Sequence, residues 1–598
     1  MNDTYPIQNY KMKNNQIVKI FREISYLIQI AEEDPNTIYK VRAYERAADV
    51  IENLSTSIEE IYLKDGIQGL KKIPSIGNAI SIKLEELIRS NKISYHEELK
   101  QKVPIKISEF SNMTGFGPKT MKILFERLGI TSIAELENAA SEGKISKIKG
   151  FSKTKEEKII KTVQLSKKIK NRYLLGDVYP LIKKIENTLN EKENVMRCLV
   201  VGSFRRMKET IGDIDILIST DEPEEVIQFF VSMPEIREIK GKGKAKAFVE
   251  LKNGIAVDLL VVPEESFGSA AQYFTGNKEH NISLRNLAIS MDFHLNEWGL
   301  YNKKGRRIAG FTEQEIYENL QLQYIPPELR ENDGEIKYFT EMRNVPLDLI
   351  EYGDLKGDLH THSNITDGTM SISDMALHAR KKFGLEYIAI TDHTKSLGLA
   401  NGLSENQLLN QINKIEQLND TLSQDSISDT VSNFRILTSA EVNILKDGSL
   451  DISNNILDKL DIVGASIHSN FSYSKDVQTN RLIKAARNPS VDILFHPTGR
   501  LINKREGYAV DIEKVIEVAS DTRTVLEINS NYNRLDLRDE HIRMAVKNDV
   551  KLAINSDAHH PIHFAYLIFG IGQARRGWAK KIDIVNTLKV DSLLKSLK

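Results

Sequence analysis

The chain has 598 residues, 40% apolar and 28% charged, which calls for roughly three to five domains, and its one cysteine, Cys198, excludes a disulfide framework and a cysteine-type zinc finger. The polar N-terminus MNDTYPIQNYKMKNN has no apolar signal core and no run nears the ~18 apolar residues of a membrane span, so a cytoplasmic protein without a membrane partner is expected. Net charge is −1 but uneven: residues 1–172 hold 30 Lys+Arg against 22 Asp+Glu, suggesting a polyanion partner in front and bound cations behind.

Residues 15–65 place Ile17, Ile20, Phe21, Ile24, Ile28 and Ile30 at helical spacing and read as amphipathic helices. Tyr39-Lys40-Val41-Arg42-Ala43-Tyr44 leads into another helix, and Ile73-Pro74-Ser75-Ile76-Gly77 precedes one that carries Lys83. The same grammar returns at Met113-Thr114-Gly115-Phe116-Gly117-Pro118-Lys119 and, with one glycine, at Ile148-Lys149-Gly150-Phe151. Each is helix, tight apolar-Gly turn, helix. Glycine permits close approach, and the free N–H groups of the following helix can cradle a phosphate. This is the helix-hairpin-helix pattern, which holds a DNA backbone without reading its sequence.

From residue 173 short β-rich runs take over: Cys198–Val201, Asp215–Ile218, Ala247–Leu251 and Ala256–Val262. Gly202-Ser203 turns out of the first, and Gly212-Asp213-Ile214-Asp215 enters the second. Period-2 alternation puts Asp213 and Asp215 on one face. A bare Asp-x-Asp is usually a solvated edge strand; the Gly-Ser turn just upstream makes it a nucleotidyltransferase signature. Asp258, among Val257, Leu259 and Leu260, needs a partner, because burying a bare carboxylate costs several kcal/mol. A neighbouring lysine would serve, but a third metal carboxylate fits better.

A Pro-marked connector runs from Tyr324-Ile325-Pro326-Pro327 to Pro346. Six strands then alternate with helical or loop stretches: Tyr387–Thr391, Arg435–Ser439, Ile462–Ser466, Asp492–His496, Val525–Ile528 and Lys551–Asn555. The pattern suggests an α/β barrel with its functional residues at the strand C-termini. His360, His362, Asp367, His393, Glu441, His468, His496, Asp557 and His559 recur at those ends and include six of the thirteen histidines. Imidazole mixed with carboxylate suits Zn²⁺, Mn²⁺ or Fe²⁺ rather than Ca²⁺.

Residues 1–325 resemble the family X (DNA polymerase beta-like) DNA polymerases, on Gly202-Ser203, Asp213-x-Asp215, Asp258 and Tyr273-Phe274-Thr275-Gly276-Asn277-Lys278-Glu279-His280-Asn281. The resemblance implies that Asp213, Asp215 and Asp258 hold two Mg²⁺ or Mn²⁺ ions for in-line phosphoryl transfer to a primer 3′-OH. It implies Ser203 and Arg206 on the nucleotide phosphates and Tyr273, Phe274 and Gly276 on the sugar. Asn281 would meet the base edge and Arg285 the template. Leu260 stands where the family often has Arg. Lys83 falls on the family's Schiff-base lysine of a 5′-end lyase, which must be neutral to react. Lys40 and Tyr44 fall on 5′-phosphate contacts, and Gly77, Gly115, Gly117 and Lys119 are the expected DNA contacts of the hairpins.

Residues 351–598 resemble the polymerase-and-histidinol-phosphatase (PHP) domain, with all nine metal positions of the active form filled. By analogy His360, His362, Glu441 and Asp557 hold one ion. Glu441 bridges to a second held by His468 and His496, and Asp367, His393 and His559 hold a third. Arg500 is a candidate phosphate contact. The expectation is a multidomain α+β and α/β chain. A lyase-like domain spans residues 1–92, fingers 93–172, a nucleotidyltransferase palm 173–262, a thumb 263–325, a linker 326–350 and a distorted (β/α)7 PHP barrel 351–598. The implied activity is short-gap filling in base excision repair by a monomer that takes deoxynucleoside triphosphates and gapped or nicked duplex DNA. A Mn²⁺-favoured 3′–5′ exonuclease is implied beside it, and cleavage at abasic sites is a further activity to test. Three rivals remain: a small-molecule PHP phosphatase with a vestigial polymerase half, a non-enzymatic DNA scaffold and a template-independent nucleotidyltransferase.

Overall fold

The computed structural model describes residues 14–597, apart from 33, 35–36, 53, 55–56, 74, 111–115, 154, 158, 161–162, 164–171, 344, 346 and 425–433. The expected contact Gly115 lies outside the described residues. The chain divides into two compact units, Met1–Lys170 with Asn503–Arg505, and Asn171–Ile502 with Glu506–Lys598. Among the described residues no helix is long and apolar enough to cross a membrane.

The first unit is helical: α1 (Asn14–Ala31), α2 (Thr37–Glu52), α3 (Ile58–Lys71), α4 (Asn78–Ser90), α5 (Ser94–Lys102), α6 (Pro118–Leu128) and α7 (Ile133–Ser141). Ile17, Phe21, Ile24 and Ile28 of α1 are buried in its core, as their spacing requires. In the hairpins the apolar residue is a plug and the glycine a cap. Ile76 and Phe116 are buried, while Gly77 and Gly117 occupy the N-cap positions of α4 and α6 with no side-chain cap. No side chain therefore competes for the first N–H groups of α4, whereas α6 begins with Pro118, which has no N–H, and its Thr120 N–H donates to the Gly117 carbonyl at 2.9 Å. Ser75, where the pattern prefers glycine, still takes φ +62°, a conformation that costs an L-residue roughly 1–2 kcal/mol.

The second unit begins with α8 (Leu175–Asn190) against a five-stranded sheet. Its strands are β1 (Arg197–Val200), β2 (Asp213–Ser219), β3 (Ile236–Lys242), β4 (Lys246–Leu251) and β5 (Ala256–Val262), in the order β1-β2-β5-β4-β3. Only β2 and β5 run parallel to each other in this sheet. β3 is absent from the sequence reading; its IREIKGK is almost wholly exposed at the sheet edge and carries no apolar alternation. Next come α9 (Phe267–Thr275), α10 (Lys278–Ser290) and a three-stranded antiparallel sheet of β6 (His294–Asn296), β7 (Gly299–Tyr301) and β8 (Arg307–Ala309).

Beyond the connector, β9 (Gly357–Thr361), β10 (Tyr387–Ile390), β11 (Arg435–Asn443), β12 (Ile462–Ser466), β13 (Ile493–Leu494), β14 (Val525–Asn529) and β15 (Leu552–Asn555) pair in sequence order, all parallel. The ring nearly closes where Thr361 meets Ala558 and the His362 N–H donates to the Ala558 carbonyl at 2.8 Å. Neighbouring strand residues fall in two different apolar clusters: Tyr387 and Ala389 in one, Ile388 and Ile390 in the other. Both faces are thus buried, which is why these strands read as continuous apolar runs. This is the (β/α)7 barrel the sequence suggested, with β9 as the seventh strand.

Candidate active sites

The register of β2 and β5 sets Asp215 directly beside Asp258. Strand alternation adds Asp213 to the same face. The three carboxylates feel one another: the Asp215 pKa is pushed up to about 7, first by burial and then by Asp213 and Asp258, with Arg206 opposing. Asp258 is also raised, by burial and Asp213, with Lys246 opposing. Such mutual repulsion marks a place for cations. Gly202 turns at φ +65°, and a Cβ there would lie 2.5 Å from Asp215 Oδ2. Only glycine lets the turn close on the carboxylate.

Arg206 follows on the turn, 12% exposed. Its Nε is 3.0 Å from Glu331 Oε1, and its Nη1 donates to the Thr275 carbonyl, beside Gly276. Arg206 is thereby brought against the Tyr273–Gly276 segment. The Tyr273 and Phe274 rings meet edge to face at 5.1 Å. Leu260 packs in the small apolar cluster that includes Phe274. Asn281 is buried, and its amide donates to the Tyr273 carbonyl at 2.7 Å and accepts from Gln272 at 2.8 Å. Its observed partners are protein groups that brace the Tyr273 segment. Arg285 Nε donates to the Asn281 carbonyl at 3.3 Å, so it too is tied to α10.

In the helical unit, Lys83 is ion-paired with Glu86 at 3.2 Å and stands 5.8 Å from the Tyr95 ring. The chemistry asks for a neighbouring cation or deep burial; the structure supplies a carboxylate. Lys40 pairs with Glu32 at 2.9 Å. Tyr44 is buried edge-on against Phe21, 5.3 Å between centroids, and burial pushes its hydroxyl up to about 12. Its neighbour Tyr39 is the ring on the surface, 68% exposed. Lys119 is exposed in the first turn of α6.

The barrel brings all nine predicted donors together at its strand C-termini. Four groups have donor atoms close enough to share an ion: His362, Asp367, His393 and His559; His360, Glu441 and His496; His360, His362 and Asp557; and His393, Glu441 and His468. Glu441 is the hub. Its Oε1 lies 3.1 Å from His468 Nε2 and 2.8 Å from His496 Nε2, and its Oε2 lies 2.9 Å from His393 Nδ1 and 3.6 Å from His360 Nε2. Asp557 Oδ1 stands 3.5 Å from His360 Nε2 and 3.4 Å from His362 Nε2. Spacings of about 3.4 Å are the edges of a tetrahedron whose metal–ligand bonds are about 2.1 Å. His360 Nε2, both His362 nitrogens and His496 Nδ1 are buried without a hydrogen-bond partner. Buried imidazole nitrogens left this way fit metal ligands. His496 and Asp557 also hold φ +30° and +55°, backbone strain kept where it aims a ligand.

A supporting layer completes the centre, and the sequence reading missed it. Glu527 in β14 lies 2.7 Å from His360 Nδ1, accepts from the His496 N–H at 2.7 Å and from Asn555 Nδ2 at 3.0 Å. Asp358 accepts from the His360 and Ser556 backbones, and burial pushes its carboxyl up to about 7. Asp392 accepts from Ser363 and Thr366. Arg500 does not face the ligands: its guanidinium holds Glu209 and the Arg534 and Leu535 carbonyls. The arginine that reaches the centre is Arg534, with Nε 3.6 Å from Asp557 Oδ2.

Comparison with known proteins agrees with this geometry. Residues 12–93 match a family described as helix-hairpin-helix domain, and 107–164 a SAM-like helix-hairpin-helix tandem. Residues 176–243 match the DNA polymerase beta palm and 270–331 the DNA polymerase beta thumb. The chain is 35% identical to the DNA polymerase/3′-5′ exonuclease PolX of Bacillus subtilis (strain 168), over 96% of this chain and 97% of that one. A probable phosphatase of Thermoanaerobacter sp. (strain X514) is 35% identical over 34% of this chain and 78% of its own length. DNA polymerase lambda of Arabidopsis thaliana is 24% identical over 53% of this chain and 62% of its own. With a palm carboxylate cluster and a nine-donor barrel on one chain, the protein belongs to the family X DNA polymerases that carry a C-terminal PHP domain.

Proposed function

We propose that this enzyme fills short gaps in duplex DNA at the palm and shortens 3′ ends at the barrel, as a repair polymerase of the base excision type acting in the cytoplasm as a monomer. The observation that carries the reading is the coexistence of two chemically different centres: three carboxylates beside a Gly-Ser turn, and nine His/Asp/Glu donors with buried unpartnered imidazoles. Asp213, Asp215 and Asp258 would hold Mg²⁺ or Mn²⁺, and the nine barrel donors Mn²⁺, Zn²⁺ or Fe²⁺; bound there, the ions supply charge neutralisation for phosphoryl transfer and activation of water. The chain's own groups do the rest. Arg206 and Ser203 hold the nucleotide's phosphates, and Tyr273, Phe274 and Gly276 form the wall against its sugar. Asn281 keeps that wall in place, and Arg285 lies on the template side. At the barrel, Arg534 neutralises the phosphate being cleaved. The hairpins present Gly77, Gly117 and Lys119 to the DNA backbone, and Lys40 stands on the side of a 5′-phosphate, while the buried Tyr44 packs against Phe21 beneath the surface. Lys83 is the residue to test for lyase activity.

The test is a labelled gapped duplex in Mn²⁺, with and without deoxynucleoside triphosphates. Asp213→Ala with Asp215→Ala abolishes extension and spares shortening; His360→Ala with His362→Ala does the reverse. Loss of both activities in either double variant would sink the two-centre reading. Turnover of a free phosphate monoester by a chain indifferent to DNA would instead establish the small-molecule phosphatase. Equal extension without a template strand would establish the template-independent transferase. Cleavage of an abasic-site duplex by the same protein tests the remaining activity.

A further inference from the structure

Arg206 has a second neighbour that comes from the barrel. Helix α11 (Leu567–Arg576) packs so tightly on the turn that a Cβ on Gly572 would lie 2.8 Å from the Met207 side chain. At its end Arg576, with a side chain 4% exposed, donates from Nη1 to the Arg206 carbonyl at 3.1 Å and to Glu331 Oε1 at 2.9 Å. Its Nη2 is fixed by Asp539 at 2.5 Å. Glu331 is the shared anion: Arg206 Nε reaches the same Oε1 at 3.0 Å, while Lys208 and Asn277 approach Oε2 at 3.4 and 3.3 Å. Two nitrogens of Arg206 are thus committed to protein, Nε to Glu331 and Nη1 to Thr275, which fixes the plane of its guanidinium. The carboxylate that fixes it is itself oriented by Arg576.

We propose that Arg576 is a positioning residue of the polymerase: the barrel, through the Arg576–Glu331–Arg206 relay, sets the arginine that grips the incoming nucleotide's phosphates. This rests on the reading of Arg206 as a phosphate ligand. Arginine suits the post because its planar fork meets Asp539, Glu331 and a carbonyl at once, which a lysine point charge cannot do. Arg576 belongs to neither set of metal donors, so the relay is a debt of the palm to the barrel fold and not to nuclease chemistry.

The experiment is steady-state insertion of one nucleotide into a gapped duplex by the full chain, with 3′ shortening of the same DNA measured in parallel. Arg576→Gln is expected to raise the nucleotide KM about tenfold with kcat within about threefold and shortening unchanged; Arg576→Lys should recover part of the KM. Where Arg576→Gln fails to fold, Glu331→Gln serves, and it too should raise KM. A KM within twofold of wild type in a folded variant overturns the proposal. So does a lowered KM in Glu331→Gln, which would make Glu331 a competitor of the nucleotide, and so does a parallel fall of extension and shortening, which is a folding defect. A wild-type chain unable to extend any primer would instead defeat the polymerase reading.

Discussion

Glu527 and His360 meet at 2.7 Å with neither side chain exposed, and the other Glu527 oxygen takes the backbone N–H of His496. One carboxylate thus orients two ligand-bearing strand ends. Groups that hold a histidine's second nitrogen typically matter 10–100-fold for metal affinity. Glu527→Gln should therefore weaken Mn²⁺ binding by about 10–100-fold on that scale. Calorimetric titration checks this, and primer extension should stay at its wild-type rate. Undiminished Mn²⁺ affinity would show that His360 is held by the fold alone.

Gly202→Ala places a methyl 2.5 Å from Asp215 Oδ2 at a residue with φ +65°. Either the turn or the carboxylate must move. A displacement of about 1 Å at a reacting centre costs on the order of 100-fold, so extension should fall by about that factor. Shortening at the barrel should not change. Extension within threefold of wild type would mean that the turn has slack the structure does not display.

His280 and Glu335 form a wholly buried pair at 2.6 Å, with Tyr317 3.1 Å from the other ring nitrogen. Burial, ahead of the opposing carboxylate, holds the His280 pKa below its ordinary 6.5, so the folded chain keeps the ring neutral. Nδ1–H then donates to Glu335, and Nε2 accepts from the Tyr317 hydroxyl. Because the folded pKa is depressed, this stability is present above about pH 6.5 and is lost as pH falls toward the folded value. The lead in melting temperature of wild type over His280→Gln should shrink between pH 7.5 and 5. Parallel curves would exclude a buried neutral histidine here.

Ligand binding that favours the folded state adds stability, about 2.7 kcal/mol at a hundred times the dissociation constant. Mn²⁺ should accordingly raise the melting temperature, and His360→Ala with His362→Ala should remove most of the rise. Asp213→Ala with Asp215→Ala should remove little, since those carboxylates are more exposed than His360 and His362. Equal responses in the two double variants would contradict a barrel-centred effect.

The clustered His/Asp/Glu side chains were legible because most sit in a short local pattern, apolar strand then His, Asp or Glu, that needs no knowledge of distant residues. Glu527 carried a signal of the same kind. It stands in Val525-Leu526-Glu527-Ile528-Asn529 much as Asp258 stands among Val257, Leu259 and Leu260, and the rule applied to Asp258 would have found it. β3 was not legible, because an exposed edge strand carries no alternation. Nor could the sequence choose between Arg500 and Arg534. Both lie near a ligand strand, and only the tertiary path shows Arg500 turning to Glu209 and Arg534 to Asp557. Glu331 was invisible for the same reason: its partners Arg206 and Arg576 lie far apart in the chain and meet only after folding.

The apolar clusters cross the domain names. Ile502, Leu535 and Phe569 belong to the cluster that holds the palm's Ile214, Ile216 and Val257, and Trp578 to the one that holds the thumb's Leu284 and Tyr317. Cutting the gene after the connector would therefore strip inner wall from two neighbours while appearing to remove only a nuclease. Sluggish synthesis by such a shortened protein would report a wound, not the catalytic worth of the missing part. Point substitutions at the ligands are the cleaner scalpel, and exchange of barrels between relatives should succeed only when Ile502, Leu535, Phe569 and Trp578 travel with their counterparts.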